Sequence, residues 1–135
     1  MTRSQAREAA FILVFENLFN PDYTLDEMRE FAAESELFET DDFTAALVAA
    51  AVENTARLDG EITPYLKNWR LDRLPKTVLA VLRLSLAQLD GLCGEIPASV
   101  IVNEAVELGK KYATEKDAAF INGLLGSVVR ERGVE

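Results

Sequence analysis

Lys110, Lys111, Tyr112, Lys116 and Phe120 fall within one short stretch of this chain. Cations that follow a phosphate backbone, beside aromatic faces on which unpaired bases stack, are what holding single-stranded RNA requires. The same residues have ordinary structural uses. Lysines in the last turn of a helix favour its dipole, and a tyrosine and a phenylalanine flanking a turn serve equally well in a core. Arg3 and Arg7 stand four apart, on one face near a helix start, where positive charge opposes the dipole. Guanidinium groups beside free backbone N–H groups suit an anionic ligand there, although a solvated surface pair fits as well. The two clusters make one site only if the start of the first helix packs alongside the turn after Tyr112, which periodicity alone does not establish. A third basic stretch, Lys67, Arg70, Arg73 and Lys76, is opposed only by Asp72 and surrounds Trp69. It reads as a secondary phosphate or partner surface, a solvated face being the commoner role.

Other chemistries are poorly served. The chain has no histidine and one cysteine, Cys93, which removes imidazole acid–base catalysis, Ser-His-Asp triads and Cys- or His-based zinc sites. No Gly-rich phosphate loop is present, and no pair of carboxylates is singled out among the acids. No enzyme activity, cofactor or metal is therefore expected. The formal net charge is −9, but residues 16–61 hold 13 acids against only Arg29 and Arg57. The acidity is thus confined to one third of the chain and does not describe its other faces. No apolar run approaches the roughly 18 residues that a membrane span needs. The opening MTRSQAREAA lacks the apolar core of a secretory leader, and a lone cysteine fits a reducing compartment, so a cytoplasmic location is expected.

The elements that must position these residues all read as helices, and residues 1–135 read as one domain with one core, an all-α bundle of about seven helices. Thr2-Arg3-Ser4-Gln5 is a capping box opening a helix to about Phe19, and Thr24-Leu25-Asp26-Glu27 is a second. A third helix begins at Asp41 or Asp42 and carries Phe43, Leu47, Ala50, Asn54 and Leu58 on one stripe, with Asp59-Gly60 as the break. Thr63-Pro64 opens a short fourth helix to Trp69, Pro75 a fifth to about Leu92, Pro97 a sixth to Tyr112, and Thr114 a seventh to about Arg132. The fifth is apolar nearly all round, so it is either central or covered by a partner. Asn103 and Asn122 are poor interior helix residues, which suggests a polar network tying the sixth and seventh helices together. Gly123, inside a helical pattern, is expected to permit close helix packing.

Several of these segments together resemble the NusB family of bacterial transcription antitermination factors. Ala6-Arg7-Glu8 is similar to its amino-terminal motif, and Trp69 to Leu74 with Val81-Leu82-Arg83-Leu84 to its central signature. Val102 to Leu108 with Lys110, then Phe120 to Leu125, resemble its carboxy-terminal signature. The resemblance implies a seven-helix fold without catalysis. It further implies binding of the single-stranded boxA element of ribosomal RNA leaders, as a heterodimer with the ribosomal protein NusE and, through the complex, cooperation with other antitermination factors and RNA polymerase. By position, Arg3, Arg7, Lys110, Lys111, Tyr112, Lys116 and Phe120 fall to the RNA, and Phe15, Val78, Leu82, Ala87 and Gln88 to the partner. Asn103 and Asn122 become structural parts of the signatures. Val78 replaces an acidic residue often found in the family, and Ala87-Gln88 a Tyr-Glu pair. These departures support a rival expectation, a NusB-like scaffold that forms a homodimer through its apolar helix 78–92.

Overall fold

The computed structural model describes residues 1–34, 41–67 and 69–133. They form seven α-helices: α1 (Arg3–Phe19), α2 (Leu25–Glu34), α3 (Asp42–Glu53), α4 (Thr55–Ile62), α5 (Lys76–Leu89), α6 (Ala98–Tyr112) and α7 (Glu115–Arg132). Two short 3₁₀ turns, Thr63–Tyr65 and Leu71–Arg73, link α4 to α5. The helix starts follow local side-chain chemistry. Thr2 Oγ1 accepts from the Gln5 N–H while Gln5 Oε1 accepts from the Thr2 N–H, and Thr24 and Glu27 repeat the arrangement. Asp41 and Thr114 cap α3 and α7 through the N–H groups of Thr44 and Asp117. Each such cap contributes about 1 kcal/mol. Gly133, at φ 66°, closes α7 in the left-handed conformation that glycine adopts without strain.

Between α3 and α5 the chain departs from the helical pattern of its sequence. The expected stripe from Phe43 to Leu58 is divided at Asn54, whose side-chain amide donates to the Ala50 carbonyl at 2.9 Å. Thr55 likewise bonds back to Val52 at 3.0 Å, so side chains satisfy carbonyls that a continuing helix would have used. Asp59-Gly60, expected as the break, lies within α4, where Asp59 accepts two bonds of 2.8 Å from Arg83. The expected fourth helix is only a 3₁₀ turn, because Lys67 takes φ 55° and interrupts the chain before Trp69.

Helix α5 is the axis of the bundle. It packs against α1, α3, α4, α6 and α7. Val78 through Leu82 and Leu84 through Gln88 are all buried. Its all-round apolarity is thus explained within the chain: neighbouring helices cover it, and it offers no apolar face to a second copy. At about 1.5–3 kcal/mol per buried large aliphatic side chain, this helix supplies much of the driving force for folding.

Helices α6 and α7 form the most extensive pair, joined through Ala113 and Thr114. Their closest approach is at Gly109, where an added Cβ would stand 3.0 Å from Ile121 Cδ1 and 3.1 Å from Ala118 Cα. Asn103 and Asn122 do not tie this pair together. Both are exposed, and neither amide has a hydrogen-bond partner among the described residues. Gly123 does not mediate close packing either, since nothing lies within 4 Å of the position its Cβ would take. The small residue that sets the helix spacing is Gly109.

Candidate nucleic-acid interface

The start of α1 lies along the end of α6. Ser4 Oγ donates to Glu104 Oε1 at 2.6 Å. One turn further, Glu8 Oε1 accepts from Lys111 Nζ at 2.5 Å and from the Tyr112 hydroxyl. Beyond that, the Phe11 and Tyr112 rings sit 4.9 Å apart. The start of α1 and the end of α6, about a hundred residues apart in sequence, therefore lie side by side.

The two arginines on this surface have separate fates. Arg3 is exposed, with its guanidinium 3.9 Å over the Phe43 ring. Arg7 is buried, with Nε donating to Gln88 Oε1 at 2.8 Å while Gln88 Nε2 donates to the Leu84 carbonyl at 3.1 Å. Burial lowers the Arg7 pKa, Glu104 opposes that shift and Arg3 adds to it. Expected to contact phosphate, Arg7 instead joins α1 to α5, because it lies one turn deeper than Arg3, where α5 covers it.

Lys110 is exposed and 3.7 Å from Glu107. Lys116 is exposed, with no ion pair among the described residues. Lys111 is also exposed, but Glu8 answers its charge. Tyr112 is half-buried against Phe11, and its hydroxyl pKa is pushed up to about 12, by burial first and then by Glu8. The hydrogen bonds from Lys111 and Tyr112 hold the Glu8 carboxyl below its ordinary value. Phe120 faces a different neighbourhood: it lines an open groove of about 610 Å³ with Tyr65, Lys67, Trp69, Gly123 and Arg130 among others.

Of the residues assigned to a partner protein, Val78, Leu82, Ala87 and Gln88 are all buried within the chain, which removes them from any docking surface. Phe15 remains half-buried at the surface. Its ring is 6.0 Å from Phe11 and 5.2 Å from Phe19, and Phe19 is 59% exposed. Phe11, Phe15 and Phe19 recur every four residues, so one aromatic row runs down α1 away from Tyr112. That spacing was available as a signal, yet the sequence pointed only to Phe15, and Glu8 entered only within the Ala6-Arg7-Glu8 motif, without a role. Among the described residues no helix is long and apolar enough to cross a membrane.

The NusB family model matches residues 4–130. The chain is 38% identical to the transcription antitermination protein NusB of Thermoanaerobacter sp. (strain X514), covering all of this chain and 95% of that protein. It is also 38% identical to the NusB of Listeria welshimeri, over 97% of this chain and 98% of that one. Among solved structures, NusB of T. maritima superposes with TM-score 0.80 at 29% identity, covering 97% of this chain and 92% of that one. A chain from a complex of the antitermination factors NusB and NusE with double-stranded RNA gives TM-score 0.81 at 28% identity, over 97% and 99%.

Proposed function

Because this chain belongs to the NusB family of transcription antitermination proteins, whose work is RNA binding rather than catalysis, we propose that it binds the boxA element of ribosomal RNA leader transcripts. The contacts are assigned to Arg3, Lys110, Lys111, Tyr112, Lys116 and Phe120. Residues 1–135 act as one RNA-binding domain, in the cytoplasm, with NusE as heterodimer partner and RNA polymerase reached through the assembled complex. The partner reading is supported by the similarity to a chain of a complex of NusB and NusE with double-stranded RNA. With α5 enclosed, the remaining partner-facing element is the edge of α1 at Phe15 and Phe19.

The observation that supports the proposal is the double contact of Glu8 with Lys111 and Tyr112, which fastens the amino-terminal helix that carries Arg3 to the end of α6. Arg3, Lys110, Lys111 and Lys116, the cations assigned to RNA, are all exposed. Single-stranded RNA engaging all of them gives a log–log salt slope of about −3.

Titration of a boxA RNA and a scrambled control, each with and without the cognate NusE, tests the reading. Preferential binding of boxA, strengthened by NusE, is the expected result. Equal affinity for both RNAs in both conditions overturns it. Tyr112→Ala and Lys116→Glu should each weaken boxA binding at moderate salt.

A further inference from the structure

The basic stretch around Trp69 plays no part in the face described above. Trp69 is the chain's single tryptophan and is 64% exposed. Its backbone is pinned on the connection between the two 3₁₀ turns, with its N–H donating to the Leu66 carbonyl at 2.9 Å. Lys67, two positions earlier, sits in the left-handed region at φ 55°, a conformation that residues other than glycine seldom adopt. Across the groove, α7 contributes Phe120, Gly123, Leu124, Ser127 and Arg130.

Gly123 is the informative residue in this wall. A glycine weakens a helix interior relative to alanine, and here no neighbour within 4 Å requires it. What its missing side chain does achieve is an open groove wall, where a flat ring can approach the helix backbone. The groove's charges favour an anion. Lys67 and Arg130 line it, and after Trp69 come Arg70, just before the second 3₁₀ turn, and Arg73 at its end. Of the nearby acids, Glu131 accepts from the Tyr65 hydroxyl at 2.6 Å and Asp72 pairs with Arg70 at 2.8 Å.

We propose that the groove between Trp69 and α7 is a second nucleotide subsite, in which an unpaired base of the bound RNA stacks on Trp69 while Lys67 and Arg130 hold its phosphates. The inference rests on the RNA-binding reading above and extends it to the groove lined by Phe120, a residue that the reading assigns to RNA. An exposed indole beside a bare stretch of helix suits a planar base, and cations at the rim suit the strand that carries it. A partner helix with an apolar stripe would leave those cations uncompensated.

Trp69, as the only tryptophan, reports on its own groove by fluorescence. The full chain is titrated with a boxA RNA and with the same RNA bearing short unpaired tails at both ends. Anisotropy of labelled RNA gives affinity, and Trp69 emission gives occupancy. The tailed RNA should quench Trp69 and bind about 5- to 100-fold more tightly than the short one. Trp69→Ala and Gly123→Gln should each reduce that ratio to about one. The glutamine substitution fills the groove at an exposed helical position, so the fold is retained. Lys116→Glu should weaken both RNAs and leave the ratio intact. Equal affinities with unchanged emission at saturation overturn the subsite and leave the main face standing, whereas failure of both RNAs to bind overturns both readings. Quenching by NusE alone, with none by RNA, gives the groove to a protein and also overturns the proposal.

Discussion

Glu8 on α1 and Lys111 on α6 meet at 2.5 Å across 103 positions of sequence. The pair fastens the amino-terminal helix to the turn that carries the lysines, and it also places a carboxylate within the surface assigned to RNA. A phosphate approaching Lys111 must compete with Glu8. Glu8→Gln keeps an acceptor for the Tyr112 hydroxyl and releases the lysine. RNA affinity should rise several-fold, and the salt slope should steepen by about 0.7, one added phosphate contact on a single strand. Because Lys111 is largely exposed, the stability lost should stay within about 1 kcal/mol. Binding isotherms at several salt concentrations and a denaturant titration measure both effects.

Where α4, α5 and α7 end, a carboxylate pair has a pH signature. Arg132 donates to Asp90 Oδ1 at 2.7 Å and to Glu61 Oε2 at 3.1 Å, while Glu61 Oε1 and Asp90 Oδ2 are buried without a hydrogen-bond donor. Burial, and then Asp90, push the Glu61 pKa from 4.5 up to about 7. The folded protein thus binds this proton more tightly than the unfolded chain. Glu61's contribution is fully present below pH 4.5 and is lost as the pH rises towards 7. Glu61→Gln should flatten that decline and raise the melting temperature above pH 7. Thermal unfolding of both proteins from pH 4.5 to pH 8 reads the difference. A wild-type melting temperature that climbs steadily over this range runs against the assignment.

Two glycines of the carboxy-terminal hairpin should respond in opposite directions to alanine. At Gly109 the new Cβ meets Ile121 Cδ1 at 3.0 Å and the Ala118 backbone at 3.1 Å, so α6 and α7 must separate. Overpacking of this kind costs about 1–3 kcal/mol. At Gly123 the space is open, and alanine should stabilise the helix by about 0.5–1 kcal/mol. Chemical denaturation of the two variants distinguishes a spacing glycine from one retained for another purpose.

Which parts of this arrangement sequence could reveal depends on how local their causes are. Thr2 with Gln5, Thr24 with Glu27, and Thr114 before α7 mark helix starts through contacts three residues apart, and α1 and α6 end at Phe19 and Tyr112 as their patterns indicate. The break at Asn54 was hidden because asparagine there also fits a helical stripe, and it takes the bonds of Asn54 to Ala50 and of Thr55 to Val52 to end α3. For the site, residue type showed which side chains suit RNA, and periodicity put Arg3 and Arg7 on one face. Neither could show that α5 covers Arg7 and leaves Arg3 free. Asn103 and Asn122 drew attention as awkward helix residues, but exposure makes them inexpensive, since water satisfies their amides.

The division between the two arginines makes the last prediction. Arg3 stands in solvent over Phe43, so Arg3→Ala should remove one cation from the proposed RNA face and reduce the salt slope by about 0.7, with little effect on folding. Arg7→Ala removes the donor to Gln88 Oε1, leaving an acceptor buried between α1 and α5. An orphaned buried polar group costs about 1–3 kcal/mol, and the lost packing of the arginine stem adds to it. A double substitution, Arg7→Met with Gln88→Leu, replaces both partners by apolar side chains and should recover most of that loss. If Arg7 acts through the fold, the double variant binds boxA RNA with nearly wild-type affinity and an unchanged salt slope. If its charge contacts the RNA, the double variant regains its melting temperature but not its affinity. Thermal unfolding and salt-dependent titration of the four proteins separate these outcomes.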